Sequence, residues 1–367
     1  WHQHWSERTF FTGNPEDRRT QLVPVILKCA HYGKEKISDG TLEWKIVDEE
    51  DRVYKSGTET NITINIGEEY TIASDFYFLP QTDKPLTLFL KAKLTAEDLE
   101  LENKWDFWVF PRIVEETRHD DPGESALRNP PLPVYANISD ESMSHQFNTT
   151  YPFLKNGSTI IENEALYITD QFDENMIALL EEGHRVLLLG EKHFDGHVTE
   201  WGAGRSEYAR GTKIYPHPLM DKFPHDGWCD LPFSNMISGD DPLHGNRNAN
   251  GVMMDMRPWP DDVFPFILGF PSYKDMEPQL YSFMLEANAG SGKFLTTTFD
   301  LAKKDPATRY FFDQVLRYMT GEEFQPEASV KLDFLKEQLS HDAVIREHIV
   351  EFKKDGVMPN LKRPDEK

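Results

Sequence analysis

Cysteine is nearly absent: 367 residues contain only Cys29 and Cys229. The two fall in stretches of different character, so disulfides are not the framework of the fold, and no cysteine group has zinc-site spacing. Positive charge is also scarce. Lys and Arg total 39 against 63 Asp and Glu, a net charge of −24. Such a chain repels phosphate backbones and anionic lipid, which argues against nucleic-acid and membrane partners. A neutral glycan would be tolerated, and the acidity also serves plain solubility. No apolar run approaches the roughly 18 residues of a membrane-spanning helix. The opening Trp1-His2-Gln3-His4-Trp5 is neither a start methionine nor a signal peptide, so it reads as a cut end and predicts a fragment or processed product. Four N-x-[ST] sequons, at Asn61, Asn137, Asn148 and Asn156, point towards a secreted protein, extracellular or periplasmic.

What is present is organised in blocks. Residues 1–21 form an N-terminal extension. Over residues 22–111, about seven short stretches rich in β-branched and aromatic residues are separated by turn signals. They are Leu22–Ala30, Thr41–Val47, Arg52–Ser56, Asn61–Ile66, Tyr70–Leu79, Leu86–Leu94 and Trp105–Pro111. That spacing predicts a β-sandwich. Residues 112–131 are charged and proline-rich, as in a linker.

Residues 132–325 alternate strand and helix patterns. Ala165–Thr169 is an apolar strand, Asp170 or Asp173 can cap a helix lined by Met176, Leu179 and Leu180, and Gly183 ends it. The run from Arg185 to Gly190 is continuously apolar, as in a parallel strand covered on both faces. Later, Gln279–Ala287 and Lys293–Phe299 read as paired strands, and Asp305-Pro306 starts a helix lined by Phe311, Val315, Tyr318 and Met319. The middle, Phe194–Phe270, reads as long loops. In the tail, residues 326–367, two amphipathic helices are expected. Leu332, Leu335 and Leu339 line one; Ile345, Ile349 and Phe352 line the other, with Ser340 as its cap and Gly356 as its end.

Candidate chemistry is sparse. Gly290-Ser291-Gly292-Lys293 lacks the first glycine and the final Ser or Thr of a phosphate loop, and reads as a turn between strands. Cys229 could serve as a nucleophile with His217 or His225 as base, but Leu231 is too bulky for a Gly-x-Cys-x-Gly elbow and no buried strand precedes it. His193, Asp195 and His197, with His217, His225 and His244, could gather round a metal or be ordinary loop residues; no metal site is assigned. Asn163-Glu164 has the look of a retaining glycosidase's Asn-Glu pair, yet the chain has no room for the roughly 250 residues of a (β/α)₈ barrel. Trp201, Trp228 and Trp259 lie in loop-rich sequence, where a ring either stacks on sugar or pins a loop to the core. Trp44, Trp105 and Trp108 belong to strands and to the core.

Several stretches resemble the region that follows the catalytic barrel in family 2 glycoside hydrolases, the β-galactosidase and β-glucuronidase group. Ala30-His31-Tyr32-Gly33, Leu42 to Asp48 and the run Asn103 to Pro111 resemble strands of its immunoglobulin-like sandwich. His217-Pro218, Phe223 to Trp228, Gly290 to Lys293 before Asp300-Leu301, and Tyr318-Met319 resemble an appended class I glutamine amidotransferase-like domain. The resemblance covers about residues 22–325. It implies an immunoglobulin-like β-sandwich followed by a flavodoxin-like, three-layer α/β/α domain with C-terminal helices. It also implies a non-catalytic accessory role in carbohydrate processing, with an upstream catalytic barrel as partner, a carbohydrate substrate and no cofactor. Homo-oligomerisation and stand-alone carbohydrate binding stay open, as does an independent hydrolase using Cys229 or the loop histidines. The resemblance makes His217, Trp228 and Asp230 either sugar-facing or loop-structuring residues, and Trp201, His225 and Trp259 are candidates for the same two roles.

Overall fold

A computed structural model describes residues 8–12, 22–111, 130–151, 154–156, 163–202, 211–237, 248–270 and 280–346. The fold is rich in β-structure and built on several sheets. The N-terminal region contains β1 (Thr9–Phe11), β2 (Leu22–Ala30), β3 (Ile37–Val47), β4 (Val53–Ile64), β5 (Glu69–Phe78), β6 (Leu86–Ala96) and β7 (Leu99–Phe110). A five-stranded sheet of order β1-β7-β6-β3-β4 faces the two-stranded sheet β2-β5. Alternation puts Leu42, Trp44 and Ile46 of β3 and Val25 and Leu27 of β2 into one shared core.

Two expectations change here. Arg52–Ser56 and Asn61–Ile66 are not separate strands but stretches of the single β4. Pairing with β3 runs through the expected break, with Trp44 opposite Gly57, Glu43 opposite Thr58 and Leu42 opposite Glu59, and a Cβ at Gly57 would sit 2.5 Å from the Trp44 Nε1. The N-terminal extension also contributes β1, parallel to β7, with Thr9 opposite Trp108.

The C-terminal region has nine strands on one continuous path. β8 (Val134–Asn137), β9 (Lys155–Asn156), β10 (Leu166–Thr169), β11 (Arg185–Leu189) and β17 (Gly292–Thr297) run parallel in spatial order β9-β8-β10-β11-β17. Numbered along the chain, that order is 2-1-3-4-5. Antiparallel strands β16 (Tyr281–Ala289), β14 (Asn248–Asp255) and β12 (Gly196–Gly202) extend it. β13 (Thr212–Ile214) and β15 (Ile267–Gly269) branch off at β16, and β18 (Ser329–Val330) runs parallel to the end of β16. The expected loop region is thus partly strand. Polar stretches such as Asn248-Ala249-Asn250-Gly251 pair by backbone bonds that side-chain patterning does not announce.

Helices cover both faces. α1 (Glu141–Thr150), the short α3 (Ser234–Ile237) and α4 (Pro306–Thr320) share one core with Leu187 and Leu295. α2 (Glu174–Glu181) and α5 (Leu332–Leu339) share the opposite one with Val186, Leu188 and Phe294. The starts of the longer helices follow from their sequence. Asp140, Asp173 and Asp305 each accept a backbone N–H from the first turn, and Pro306 takes the first helical position of α4. Asp170 does not cap α2. It accepts the N–H groups of Ser139 and Asp140 and the Ser139 hydroxyl, at 2.7–2.9 Å. The Gly290-Ser291 turn joins β16 to β17, with Gly290 at φ +61°.

The second tail helix is a correction. Ser340 ends α5, donating its hydroxyl to Glu337 O, and Ile345-Arg346 form β19, parallel to β12. Edge pairing at β12 decides this short segment more strongly than its apolar spacing. Ile349, Phe352 and Gly356 lie outside the described residues, as do linker residues 112–129.

The two regions share packing. Phe110, the last residue of β7, stacks on Phe223 with centroids 5.8 Å apart and lies 5.5 Å from Tyr310 of α4. Arg8 pairs with Asp106 at 2.7 Å on the same side.

Candidate functional site

Open α/β sheets place ligands at the carboxyl ends of their parallel strands, where the strand order reverses. Here that reversal lies between β8 and β10, and the Asp170 carboxylate fills it. Burial opposes its charge, but the two N–H groups and the Ser139 hydroxyl hold its pKa below the usual carboxylate value. An incoming anion would meet a negative charge already seated on the N–H groups before α1.

One strand further on, Gly190 turns sharply at φ +140° and presents Glu191. Burial, reinforced by nearby Asp300, pushes the Glu191 carboxyl up to about 7, while the Val252 N–H bound to it opposes the rise. β14 pairs with β16 only at Met254 and Asp255, so Glu191 satisfies a β14 amide where that ladder has ended.

The histidine-rich segment does not converge. His193 Nε2 contacts Leu189 O at 2.9 Å, Asp195 binds His341 and the Val344 N–H, and buried His197 contacts Val198 O through Nδ1. Among the described residues no three His, Cys, Asp or Glu side chains form a metal-binding group, and His244 lies outside them. Glu164 pairs with Arg185 at 2.6 Å, and Arg185 also binds the carbonyls of Met319 and Gly321 at the end of α4. The Asn163-Glu164 motif therefore anchors a helix end.

Cys229 is fully buried; burial pushes its thiol well up, and its N–H donates to the Thr212 hydroxyl at 2.8 Å. It has neither the exposure nor the thiolate character of a reactive cysteine. His225 accepts the Gly227 N–H, and burial lowers its pKa. Asp230 caps the 3₁₀ turn Leu231–Phe233 that leads into α3; burial raises its pKa, with Asp106 and Asp226 adding to the rise. Trp228 is 41% exposed. Trp259 is buried against Phe194 and Phe334, so of its two roles it takes the loop-anchoring one. Trp201 lies in β12 opposite Ala249, and its side chain is outside the described residues.

His217 is the sequence-derived candidate that the fold builds into a polar constellation. Its ring stacks flat on Phe266 at 3.7 Å, and Nδ1 accepts the Leu219 N–H at 3.3 Å. That leaves Nε2 to carry the proton towards Glu286, 3.5 Å away. The Tyr318 hydroxyl lies 2.9 and 3.1 Å from the two Glu286 oxygens. Burial, then the Glu286 charge, drives the Tyr318 pKa far up, so Tyr318 stays a neutral donor. Beside this constellation opens a cleft of about 340 Å³, walled by Pro130, Pro131, Pro218, Leu219 and Tyr318, with Arg317, Lys222, Gln314 and Glu323 at its polar side.

Glu286 and Glu191 were missed as site residues in the sequence. The available signal was a lone charge within the apolar strand Tyr281–Ala289, and a carboxyl directly after the strand-ending Gly190.

Two family models match, both described as domains of unknown function: DUF8488 over residues 23–111 and DUF8487 over residues 167–340. No curated protein sequence matches the chain. Solved structures that overlap it are glycoside hydrolases at low identity. A Parabacteroides merdae β-glucuronidase is 11% identical over 53% of this chain and 24% of its own length, with a TM-score of 0.22. A Clostridium perfringens family 123 glycoside hydrolase is 10% identical over 51% of this chain and 34% of its own, with a TM-score of 0.21. A family 2 β-glucuronidase is 14% identical over 23% of this chain and 9% of its own, with a TM-score of 0.20. The chain thus spans about a third or less of the length of each.

Proposed function

We propose that this chain is a non-catalytic accessory region of a secreted, family 2-like glycoside hydrolase. Residues 22–111 form its immunoglobulin-like sandwich and residues 132–325 its flavodoxin-like, amidotransferase-like domain. The observation that carries the reading is the aromatic joint of Phe110 with Phe223 and Tyr310, which packs the end of the sandwich against the α/β region. The 2-1-3-4-5 strand order supports the flavodoxin-like assignment. The sharp turn after β11 carries Glu191 rather than a thiol or hydroxyl, and Cys229 is sealed in the core, which supports a role without a thiol or hydroxyl nucleophile at these places.

On this reading an upstream barrel of the same polypeptide cleaves the carbohydrate, and this region spaces, assembles or rims it. The test is to assay the 367-residue chain and the longer natural polypeptide, with and without this region, on aryl glycosides and on glutamine. The isolated chain is expected to be inactive and the longer polypeptide glycosidic, with lower stability or altered assembly once the region is removed. Turnover by the isolated chain that disappears in Cys229→Ala would overturn the proposal.

A further inference from the structure

The outer face of the small sheet β2-β5 breaks the pattern that the rest of the sandwich keeps. A sheet with one face on a core and the other in water alternates apolar and polar residues. The five-stranded sheet obeys this rule. Its outer face carries Glu43 and Lys45 of β3 and the ion pairs of Lys93 with Glu100 and Glu102. β2 does not obey it. Leu22 to Leu27 is a continuous apolar run, the pattern of a strand covered on both sides, and in β11 the same pattern is buried throughout. In β2 Val25 and Leu27 reach the core, while Ile26 points away and is 55% exposed. Across the ladder Leu22 lies opposite Phe78 and Pro24 opposite Phe76, and these two rings are 57% and 53% exposed. Leu22, Pro24, Ile26, Phe76 and Phe78 form one apolar strip.

We infer that this strip is the surface on which the preceding domain of the same polypeptide docks, an inference that rests on the accessory reading above. Three observations favour that occupant. The charges at the rim of the strip are already neutralised: Lys28 pairs with Glu69 at 2.8 Å, and Lys55 with Asp75 at 2.6 Å. An uncharged strip of this kind suits the core of a protein–protein contact, where charged residues are depleted.

The area also fits. Each half-exposed ring offers roughly 100 Å², so the strip amounts to roughly 400–500 Å² a side. Doubled, that lies within the roughly 600–1,500 Å² of contacts between domains of one chain. It falls short of the roughly 1,600 Å² of a stable complex between free partners, which disfavours a second copy.

The chain itself leads to the strip. Directly after β1, the Thr12 hydroxyl donates to Pro80 O at 3.0 Å and accepts the Thr82 N–H at 3.0 Å, just beyond Phe78. A domain attached ahead of β1 is tethered beside the strip, and the tether raises its effective concentration enough for a small interface to close.

The experiment is hydroxyl-radical footprinting, read by mass spectrometry, of Phe76 and Phe78 in the 367-residue chain and in the longer natural polypeptide. Both rings are expected to oxidise readily in the shorter chain and about tenfold more slowly in the longer one. Phe76→Ser combined with Phe78→Ser should leave the melting temperature of the 367-residue chain unchanged and lower that of the longer polypeptide by several degrees. Equal oxidation in the two forms, or unchanged melting of the longer polypeptide with both substitutions, overturns the assignment. So does a 367-residue chain that sediments as a dimer with both rings protected, which gives the strip to a second copy. Glycosidase activity of the longer polypeptide is measured in parallel. Activity with both rings exposed sinks the docking face and spares the accessory reading, whereas a natural polypeptide no longer than 367 residues sinks both.

Discussion

Tyr318 on α4 reaches across to β16 and holds both carboxylate oxygens of Glu286 within 3.1 Å of its hydroxyl. This partly buried carboxylate is tied to one helix and, through His217, to the loop before Leu219. Tyr318→Phe keeps the ring but removes the strongest donor to that carboxylate. Leaving a fully buried acceptor short of a donor costs about 1–3 kcal/mol, and for the partly buried Glu286 the low end, about 1 kcal/mol, is expected. Urea unfolding of the variant is expected to show that loss, and an unchanged midpoint would mean that the pair carries no stability.

Glu191 gives a pH dependence with a definite sign. Its carboxyl is raised from 4.5 to about 7, so the folded protein holds this proton more tightly than the unfolded chain. Below pH 4.5 both states are protonated and no cost arises. Between 4.5 and about 7 the unfolded state loses its proton first, and stability falls as pH rises; above 7 the full cost remains. The shift corresponds to on the order of 3 kcal/mol. Glu191→Gln should remove this falling limb, so the stability difference between variant and wild type should grow from pH 4.5 to 7. A difference that stays flat with pH would refute it.

Phe110 is shared between the two regions of the molecule, fully buried against Phe223 and Tyr310. Phe110→Ala should cost about 3–5 kcal/mol, the range for truncating a buried aromatic. Differential scanning calorimetry should also show the wild-type transition splitting into two as the sandwich and the α/β region uncouple. A small shift without splitting would show that the joint transmits little.

The two thiols should differ in reactivity. Cys29 is partly exposed in β2 and Cys229 is fully buried. With a thiol reagent on the native protein, Cys29 should be labelled first and Cys229 only on unfolding. Rapid native labelling of Cys229 would reopen it as a nucleophile.

The tryptophans of the loop-rich region separate in the same way. Trp259→Ala should cost about 3–5 kcal/mol, because the ring fills a core between Phe194 and Phe334. Trp228→Ala, at an exposed ring, should stay within about 0.5 kcal/mol. Thermal melts of the two variants test the contrast.

The local grammar of the chain was readable directly. Leu22–Ala30 is a strand with the expected bounds, Asp173 and Asp305-Pro306 start helices, and the apolar run from Arg185 to Leu189 is a strand buried on both faces. Each of these rests on interactions between residues a few positions apart, or on periodicity of one segment, so the sequence alone determined them. Net charge and the two isolated cysteines are sums over the sequence and needed no structure.

Contacts between distant segments were decided only by the tertiary structure. Ile345-Arg346 became a strand because β12 offered an open edge, and Asn248–Asp255 became one because β12 and β16 flank it. Glu286 met Tyr318 and His217 from positions 32 and 69 residues away (318 − 286; 286 − 217). Trp228 and Trp259 share a composition and a loop-rich neighbourhood, yet one is exposed and the other buried. Burial and partner identity are properties of the packed chain. A sequence states which side chains can form a hydrogen bond or fill a core, and only the folded backbone brings the other half of each pair within reach.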